Sequence, residues 1–544
     1  MGGNHSTLTR EDTRLNFDSL LSEEDEKDIE KQIEQRTSKC NKKCEDMRFD
    51  FLKDRDYPFE NLVFEGGGSK GSAHVGGVKV LEELGILSKV KRFAGTSFGA
   101  IIATTLAVGY TVDEMETILR ENISSDLLFD ARCSFFSFLP NLIRRYGVHP
   151  GNKLYQYFGD LLEKKTGNPD VTFEQVYKMF NKELCLVMIN VNNMREEYCH
   201  PKTTPKMSVR LALRMSVSYP GAFQPIKKTL PNGGTDFFVD GALICNYPVH
   251  CFDGWWLSMK PEDTFLKRIQ GIQDLPKLLS KGNRFGQRNH KTLGFILTSD
   301  EGPDLFKYYL EDRTKEEFGI TDTPIPDSKL AKEDLRKTIR REKIQEIIIK
   351  AVDEFIKVLK KHDLNGDGKI DMNEMKNVFA DSEFSNKSKR IIFGHGRQCD
   401  AVEAFDLLDA NSDGQVTFDE LVTFVEQREG IDLQQLYTGY KRHEIDGVTS
   451  FFSTCLNAVF LNASRIFMEG YDIDRTVGIN TGYVGSNNYD LEEKDIDFLL
   501  LQGRKSTLAY LKYYVEKSEH RINSESVFET VPLTPLTPKP TPFT

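Results

Sequence analysis

The stretch Lys91-Arg92-Phe93-Ala94-Gly95-Thr96-Ser97-Phe98-Gly99-Ala100-Ile101-Ile102-Ala103-Thr104-Thr105-Leu106-Ala107-Val108 is where the fold is read. Lys91 to Ala94 predicts a short strand, Ala100 to Val108 a helix, and Gly95-Thr96-Ser97-Phe98-Gly99 between them fits GxSxG. In that pattern two glycines permit a sharp strand-to-helix turn that lifts a serine hydroxyl clear of the backbone. By itself the pentapeptide is equally an ordinary glycine-rich turn.

The neighbourhood extends the pattern. Asn61 to Phe64 predicts a strand that runs into Gly66-Gly67-Gly68-Ser69-Lys70-Gly71 and then a helix. A glycine-rich loop opening a helix aims backbone N–H groups at one point, where they can hold a phosphate or a developing oxyanion. The loop lacks the GxxxxGK[ST] of a P-loop. It does fit GxGxxG, but Ser97 occupies the place where a dinucleotide site presents its ribose-binding acid. Further short apolar runs at Leu184 to Val191, Phe237 to Val239, Leu293 to Leu297 and Thr476 to Ile479 alternate with helical patterns, so the fold class is α/β. Asp240, just after Phe237-Phe238-Val239, puts a carboxylate at a strand end, where active sites of such sheets collect. It is a candidate base for Ser97, and Asp-Gly is equally a hairpin turn.

A different module follows. Lys329 to about Lys361 predicts a long helix, and two twelve-residue loops come after it. Asp363, Asn365, Asp367, Lys369, Asp371 and Glu374 stand at positions 1, 3, 5, 7, 9 and 12 of the first. Asp409, Asn411, Asp413, Gln415, Thr417 and Glu420 repeat the arrangement, with Gly368 and Gly414 at the sharp turn. A hard cation takes six to eight oxygens, and this spacing supplies them, so the pair resembles two EF hands binding Ca2+. The loop starts lie 46 residues apart, longer than the usual pair.

Glycine loop, elbow, Asp240-Gly241-Ala242 with Asn246 and Pro248, and Ser216-Val217-Ser218-Tyr219-Pro220-Gly221-Ala222-Phe223 together resemble the patatin-like phospholipase family. The resemblance covers Tyr57 to Ser299 and resumes at Asp474 to Ile479. It implies a patatin-like serine hydrolase sheet with flanking helices, split by an all-α EF-hand pair. It further implies a dyad in which Ser97 attacks an ester carbonyl, Asp240 takes its proton, and the loop of Gly66, Gly67, Gly68, Lys70 and Gly71 forms the oxyanion hole through the amides of Gly67 and Gly68. No cofactor is needed for that ester chemistry, and the substrate is a phospholipid or other acyl lipid. A Ser-Asp-His triad stays open, since His250, His290, His395, His443 and His520 all follow Asp240. A calcium sensor or scaffold with a non-catalytic fold, and an acyltransferase or triacylglycerol lipase on the same dyad, are the competing readings.

The expected layout is an acidic N-terminal arm over 1–56, the first catalytic segment over 57–325, the EF-hand pair with its leading helix over 326–430, the second catalytic segment over 431–525 and a Thr-Pro tail over 526–544. In the arm, Ser22 to Asp25 caps a helix over Glu26 to Arg36 that reads as solvated. A net charge of -11 over 544 residues gives no footprint for nucleic acid. Nine scattered cysteines suit a reducing, cytoplasmic setting rather than a disulfide scaffold, and no apolar run is long enough to span a bilayer. Peripheral membrane contact is expected from Gly2, which heads an N-myristoylation pattern, and from the apolar cluster Phe135 to Pro140 beside Arg144 and Arg145. The basic stretch Lys332, Arg336, Lys337, Arg340, Arg341 and Lys343 reads either as a lipid-binding or as a solvated face.

Overall fold

The computed structural model describes residues 21–37, 50–53, 55–122, 130, 141–229, 233–299, 323–363, 366, 368–393, 400–417, 419–421, 423–424, 445, 447, 451, 454–456, 458–459 and 468–528. Gly2, Phe135 to Pro140, Asn365, Asp367, His395, His443 and the Thr-Pro tail lie outside them. Contacts divide the chain into two units, one of 1–42 with 324–444 and one of 43–323 with 445–544.

The larger unit is built on an eight-stranded sheet. Its strands are β1 (Asn61–Phe64), β2 (Arg92–Thr96), β4 (Glu183–Asn190), β5 (Arg195–Cys199), β7 (Ile226–Thr229), β8 (Thr235–Asp240), β9 (Thr292–Thr298) and β10 (Thr476–Asn480), while β3 (Gly147–His149) and β6 (Gly221–Phe223) form a separate pair. The order is β10-β9-β1-β2-β4-β8-β7, with β5 on β4. From β10 to β4 the strands are parallel; β5, β8 and β7 join antiparallel. Every residue of β4 and β9 is buried, as the near-continuous apolar runs of a two-sided parallel sheet require. β10 comes from the far side of the calcium module yet pairs with β9 in register, Thr476 beside Gly294 and Asn480 beside Thr298. The C-terminal helix Glu493–Phe528 then packs on the helix Ala73–Glu83 that follows the glycine loop. Both chain segments therefore complete one sheet.

In the smaller unit the helix Lys329–His362 is capped by Ser328, whose hydroxyl accepts from the Ala331 amide at 3.2 Å. Its apolar face packs with the helices Met372–Ala380, Asn386–Phe393 and Ala401–Leu408 around Phe355, Met375, Phe384, Phe393 and Phe405. The Asn386–Phe393 helix uses the extra length between the loops.

The N-terminal helix, Glu23–Thr37, departs from the solvated reading. Ile29 and Ile33, four apart and so on one face, are buried against Leu335 and Ile339 of the long helix. Acids around that stripe meet the basic stretch: Glu30 lies 2.7 Å from Arg336, Glu26 3.1 Å from Arg340, and Asp28 2.6 Å from Lys343. Two isoleucines in an otherwise polar helix make a stripe too narrow to stand out in sequence, and the basic stretch, read as solvated or lipid-facing, is in part an intramolecular contact. No helix among the described residues is long and apolar enough to cross a membrane.

Candidate active site

β2 delivers the chain to Ser97 at φ 53° and ψ −124°, a backbone state that non-glycine residues rarely hold. Two neighbours secure it. A Cβ on Gly95 would meet the Gly99 carbonyl at 2.2 Å, so the outgoing helix Phe98–Ala107 can double back against β2 only with glycine there. The Ser97 amide donates to Ser216 Oγ at 3.0 Å, and that hydroxyl donates to the Val187 carbonyl on β4 at 2.6 Å.

Asp240 ends β8, and its Oδ2 accepts the Ser97 hydroxyl at 2.7 Å. Its Oδ1 accepts the Ala242 amide at 2.9 Å, so both oxygens are engaged and no histidine among the described residues is bonded to either. His250 is instead buried with its Nε2 2.7 Å from the Tyr198 hydroxyl, and burial holds its pKa well below the usual value. The carboxyl of Asp240 is pushed up to about 7 by burial, against the pull of the Ala242 amide and the Ser97 hydroxyl. A carboxylate of that pKa can take a proton near neutrality, which one at its ordinary value does poorly.

The glycine loop lies beside this pair, since a Cβ on Gly66 would come within 2.9 Å of Ser97 Cβ. The Gly66 amide donates to the Asn246 carbonyl at 3.2 Å, so Gly66 serves the loop by anchoring it. No backbone carbonyl among the described residues takes the amides of Gly67 and Gly68. Gly68 holds φ at +55° against the Ser486 carbonyl, so its conformation needs glycine. Lys70 Nζ donates to the Leu297 carbonyl of β9 at 3.3 Å and ties the loop to the sheet, and Gly71 gives room for the Phe98 ring. Asn246 Nδ2 donates to Glu65 Oε1 at 3.1 Å and to the Gly66 carbonyl at 3.0 Å, bolting the loop to the segment after Asp240.

Beside the elbow opens a narrow apolar pocket of about 60 Å3, walled by Phe98, Ile101, Met115, Leu119, Leu154 and Phe158 with Tyr489 and Ser69 at its edge. Tyr489 was missed in sequence. It comes from the second segment, its hydroxyl would lie 3.3 Å from a Cβ on Gly68, and it sits within the field of Asp240. No spacing rule ties it to residues so far upstream.

The calcium loops face each other through Ile370 and Val416, whose amides and carbonyls exchange bonds of 2.9 and 2.8 Å. Asp363 accepts from the amides of Gly366 and Gly368, and Asp409 from those of Asp413 and Gly414. Asn411 and Asp413 bond to one another, Lys369 pairs with Gln415 at 2.7 Å across the loops, and Glu374 accepts from the Asp371 amide. Thr417 donates to Glu420 Oε2, while Glu420 Oε1 is buried with no hydrogen-bond partner among the described residues, as suits a carboxylate oxygen meant for a cation. The residues present therefore fit calcium, although no three His, Cys, Asp or Glu side chains among the described residues converge on one point.

A strained serine at a strand-to-helix elbow, a carboxylate bonded to it and a glycine loop alongside form the strand–turn–helix arrangement of a nucleophile elbow on an α/β sheet. Residues 62–253 match the patatin-like phospholipase family, and residues 355–380 and 402–425 match the EF hand. Over residues 62–253 the chain is thus similar to the patatin-like phospholipases, and the EF-hand pair lies in sequence between the two segments that build its sheet. Similar proteins include an uncharacterized protein of Acanthamoeba polyphaga mimivirus, 34% identical over 195 residues that are 36% of this chain and 61% of that one. An uncharacterized Bacillus subtilis protein is 36% identical over 205 residues, 35% of this chain and 65% of the relative. A probable lipid hydrolase of Invertebrate iridescent virus 6 is 24% identical over 198 residues, 35% and 62%. The chain thus spans between 61% and 65% of the length of these relatives.

Proposed function

We propose that this protein is a calcium-responsive lipid acyl hydrolase that cleaves carboxylic esters of phospholipids or lysophospholipids through the Ser97–Asp240 dyad. The observation that carries the reading is the 2.7 Å bond from the Ser97 hydroxyl to a buried carboxylate, beside the amides of Gly67 and Gly68, which no backbone carbonyl among the described residues takes. Ser97 Oγ attacks the ester carbonyl as its proton passes to Asp240 Oδ2, and the amides of Gly67 and Gly68 take the oxyanion. Collapse of the tetrahedral adduct returns the proton to the leaving alcohol and leaves an acyl-serine. Water, deprotonated by Asp240, then releases the fatty acid. The apolar pocket at Phe98 suits an acyl chain, and the name of the iridescent virus relative supports a lipid ester as substrate.

Asp363, Asn365, Asp367, Lys369, Asp371 and Glu374, and Asp409, Asn411, Asp413, Gln415, Thr417 and Glu420, would hold calcium, whose charge would bias the orientation of the EF-hand helices. That module is joined covalently to the catalytic unit at both of its ends. Acylation of Gly2 gives only marginal anchoring by itself, so membrane recruitment in the cytoplasm draws on both signals.

The test is hydrolysis of phosphatidylcholine, lysophosphatidylcholine and triacylglycerol by purified protein, with calcium and with chelator. Fatty acid release that falls at least about a thousandfold in Ser97→Ala is expected. A well-folded protein inert on all three would restore the scaffold reading, and acyl transfer to an alcohol in place of water would mark an acyltransferase.

A further inference from the structure

β2 has a second end. Ser97 follows its C-terminal end, whereas Arg92 opens the other, and five residues at about 3.3 Å each set the two roughly 16 Å apart. At the Arg92 end the catalytic unit holds a cavity of about 240 Å3 whose walls are mainly polar, among them Arg92, Trp255, Lys260, Arg268, Asn283 and Asn289. At about 30 Å3 per water it has room for roughly eight waters, well beyond a bare ion.

Donors outnumber acceptors there. Arg92, Lys260 and Arg268 line it; Arg92 pairs with Glu183 at 3.2 Å and Arg268 with Asp263, which among the described residues leaves the ammonium of Lys260 as the unmatched charge of the wall. The indole Nε1 of Trp255, a residue 4% exposed, is buried with no acceptor among the described residues. A buried donor left unpaired costs about 1–3 kcal/mol, so a wall that keeps one beside the Lys260 ammonium is suited to a ligand with acceptor oxygens.

The walls are also braced. Lys202 Nζ donates to the carbonyls of Trp255 at 2.8 Å and Asp263 at 2.9 Å. The Gly254 amide donates to the Gln287 carbonyl at 2.7 Å, and the Asn289 amide to Asp253 Oδ1 at 2.8 Å. Asp253 is in turn gripped by Arg475 at 2.8 and 2.6 Å. The two wall segments are thus fixed before any ligand arrives, which lowers the ordering cost of binding.

We propose that this cavity is a second ligand site, separate from the Ser97 pocket, for a small molecule bearing a phosphoryl group. Guanidinium, ammonium, amide and indole donors match the several acceptor oxygens of a phosphate, and the remaining volume takes the organic part of a phosphate ester.

The chain has two tryptophans, Trp255 and Trp256, so its intrinsic fluorescence reports this wall. The full chain is titrated with inorganic pyrophosphate, with glycerol 3-phosphate and with phosphatidic acid vesicles, against glycerol and against sodium chloride at matched ionic strength. A saturable change with a phosphorylated probe is expected, weakened at least about tenfold in Lys260→Gln with Arg268→Gln and unchanged in Ser97→Ala. The arm that responds tells a soluble phosphate ester from a lipid headgroup. Those two side chains are exposed or half-exposed, so the double variant folds; its melting curve checks this. No saturable response up to about 10 mM, a response equalled by sodium chloride, or undiminished binding by the double variant would overturn the site.

Discussion

Asp240 carries its carboxylate at 1% exposure, and this has opposite effects on stability and on chemistry. Its pKa of about 7 lies above the ordinary 3.8, so the folded state favours the neutral form. The stability this contributes is complete below about pH 4 and is lost as pH rises through about 7, a change of roughly 4 kcal/mol for a shift of about three units. The base, by contrast, is the ionised form. For a phospholipid ester, kcat/KM should therefore rise with pH to a plateau above about 7 and fall about tenfold per unit below it. Asp240→Asn should abolish hydrolysis and melt above the wild type, with a larger gain at pH 8 than at pH 5. The amide keeps an oxygen for the Ala242 N–H and offers an N–H to Ser97, so the site stays bonded without a buried charge. Equal gains at both pH values in thermal melts would mean that Asp240 is ordinarily ionised.

Two elements of the smaller unit show which forces govern it. The strand-like contact of Ile370 with Val416 makes the two calcium loops one mechanical piece. Glu420→Gln should therefore remove one ion from the stoichiometry seen by calorimetry and weaken the other, whereas independent loops would leave the first unchanged. The N-terminal helix is held by apolar burial more than by its charges. Ile33 is 2% exposed, so Ile33→Ala should cost about 3 kcal/mol in urea unfolding of this unit. Arg336 and Glu30 are each about half exposed, and Glu30→Gln should cost less than about 1 kcal/mol. A larger loss from Glu30→Gln would show that the charge pairs dominate.

At the scale of the molecule, one sheet is assembled from chain on either side of the calcium module, and a buried ion cluster fastens the join. Arg475, 4% exposed at the entry to β10, bonds Asp472 beside it and Asp253 from the first segment. Removing one partner leaves buried charges uncompensated, so Arg475→Ala should destabilise the catalytic unit by about 3–5 kcal/mol and reduce hydrolysis through loss of fold. Chemical denaturation followed by tryptophan emission reads this directly, because Trp255 lies two residues from Asp253. A change below about 1 kcal/mol would show that β10 is held by its strand pairing alone.

What could be read from the residues alone was whatever a few neighbours dictate. An elbow needs its glycines within two residues of Ser97, and a calcium loop needs its oxygens and Gly368 or Gly414 within twelve, so local backbone sterics write both into short spacings. The runs of β4 and β9 were likewise legible, because a strand buried on both faces is apolar throughout. The partners that complete each site were decided by packing. Ser97 and Asp240 meet across 143 residues, Tyr489 reaches the glycine loop from the second segment, Ile33 finds Leu335, and Arg92 shares a cavity with Arg268. Spacing along the chain carries no trace of such meetings, since a contact between distant residues is set by how whole elements close around a core and leaves each residue locally unremarked.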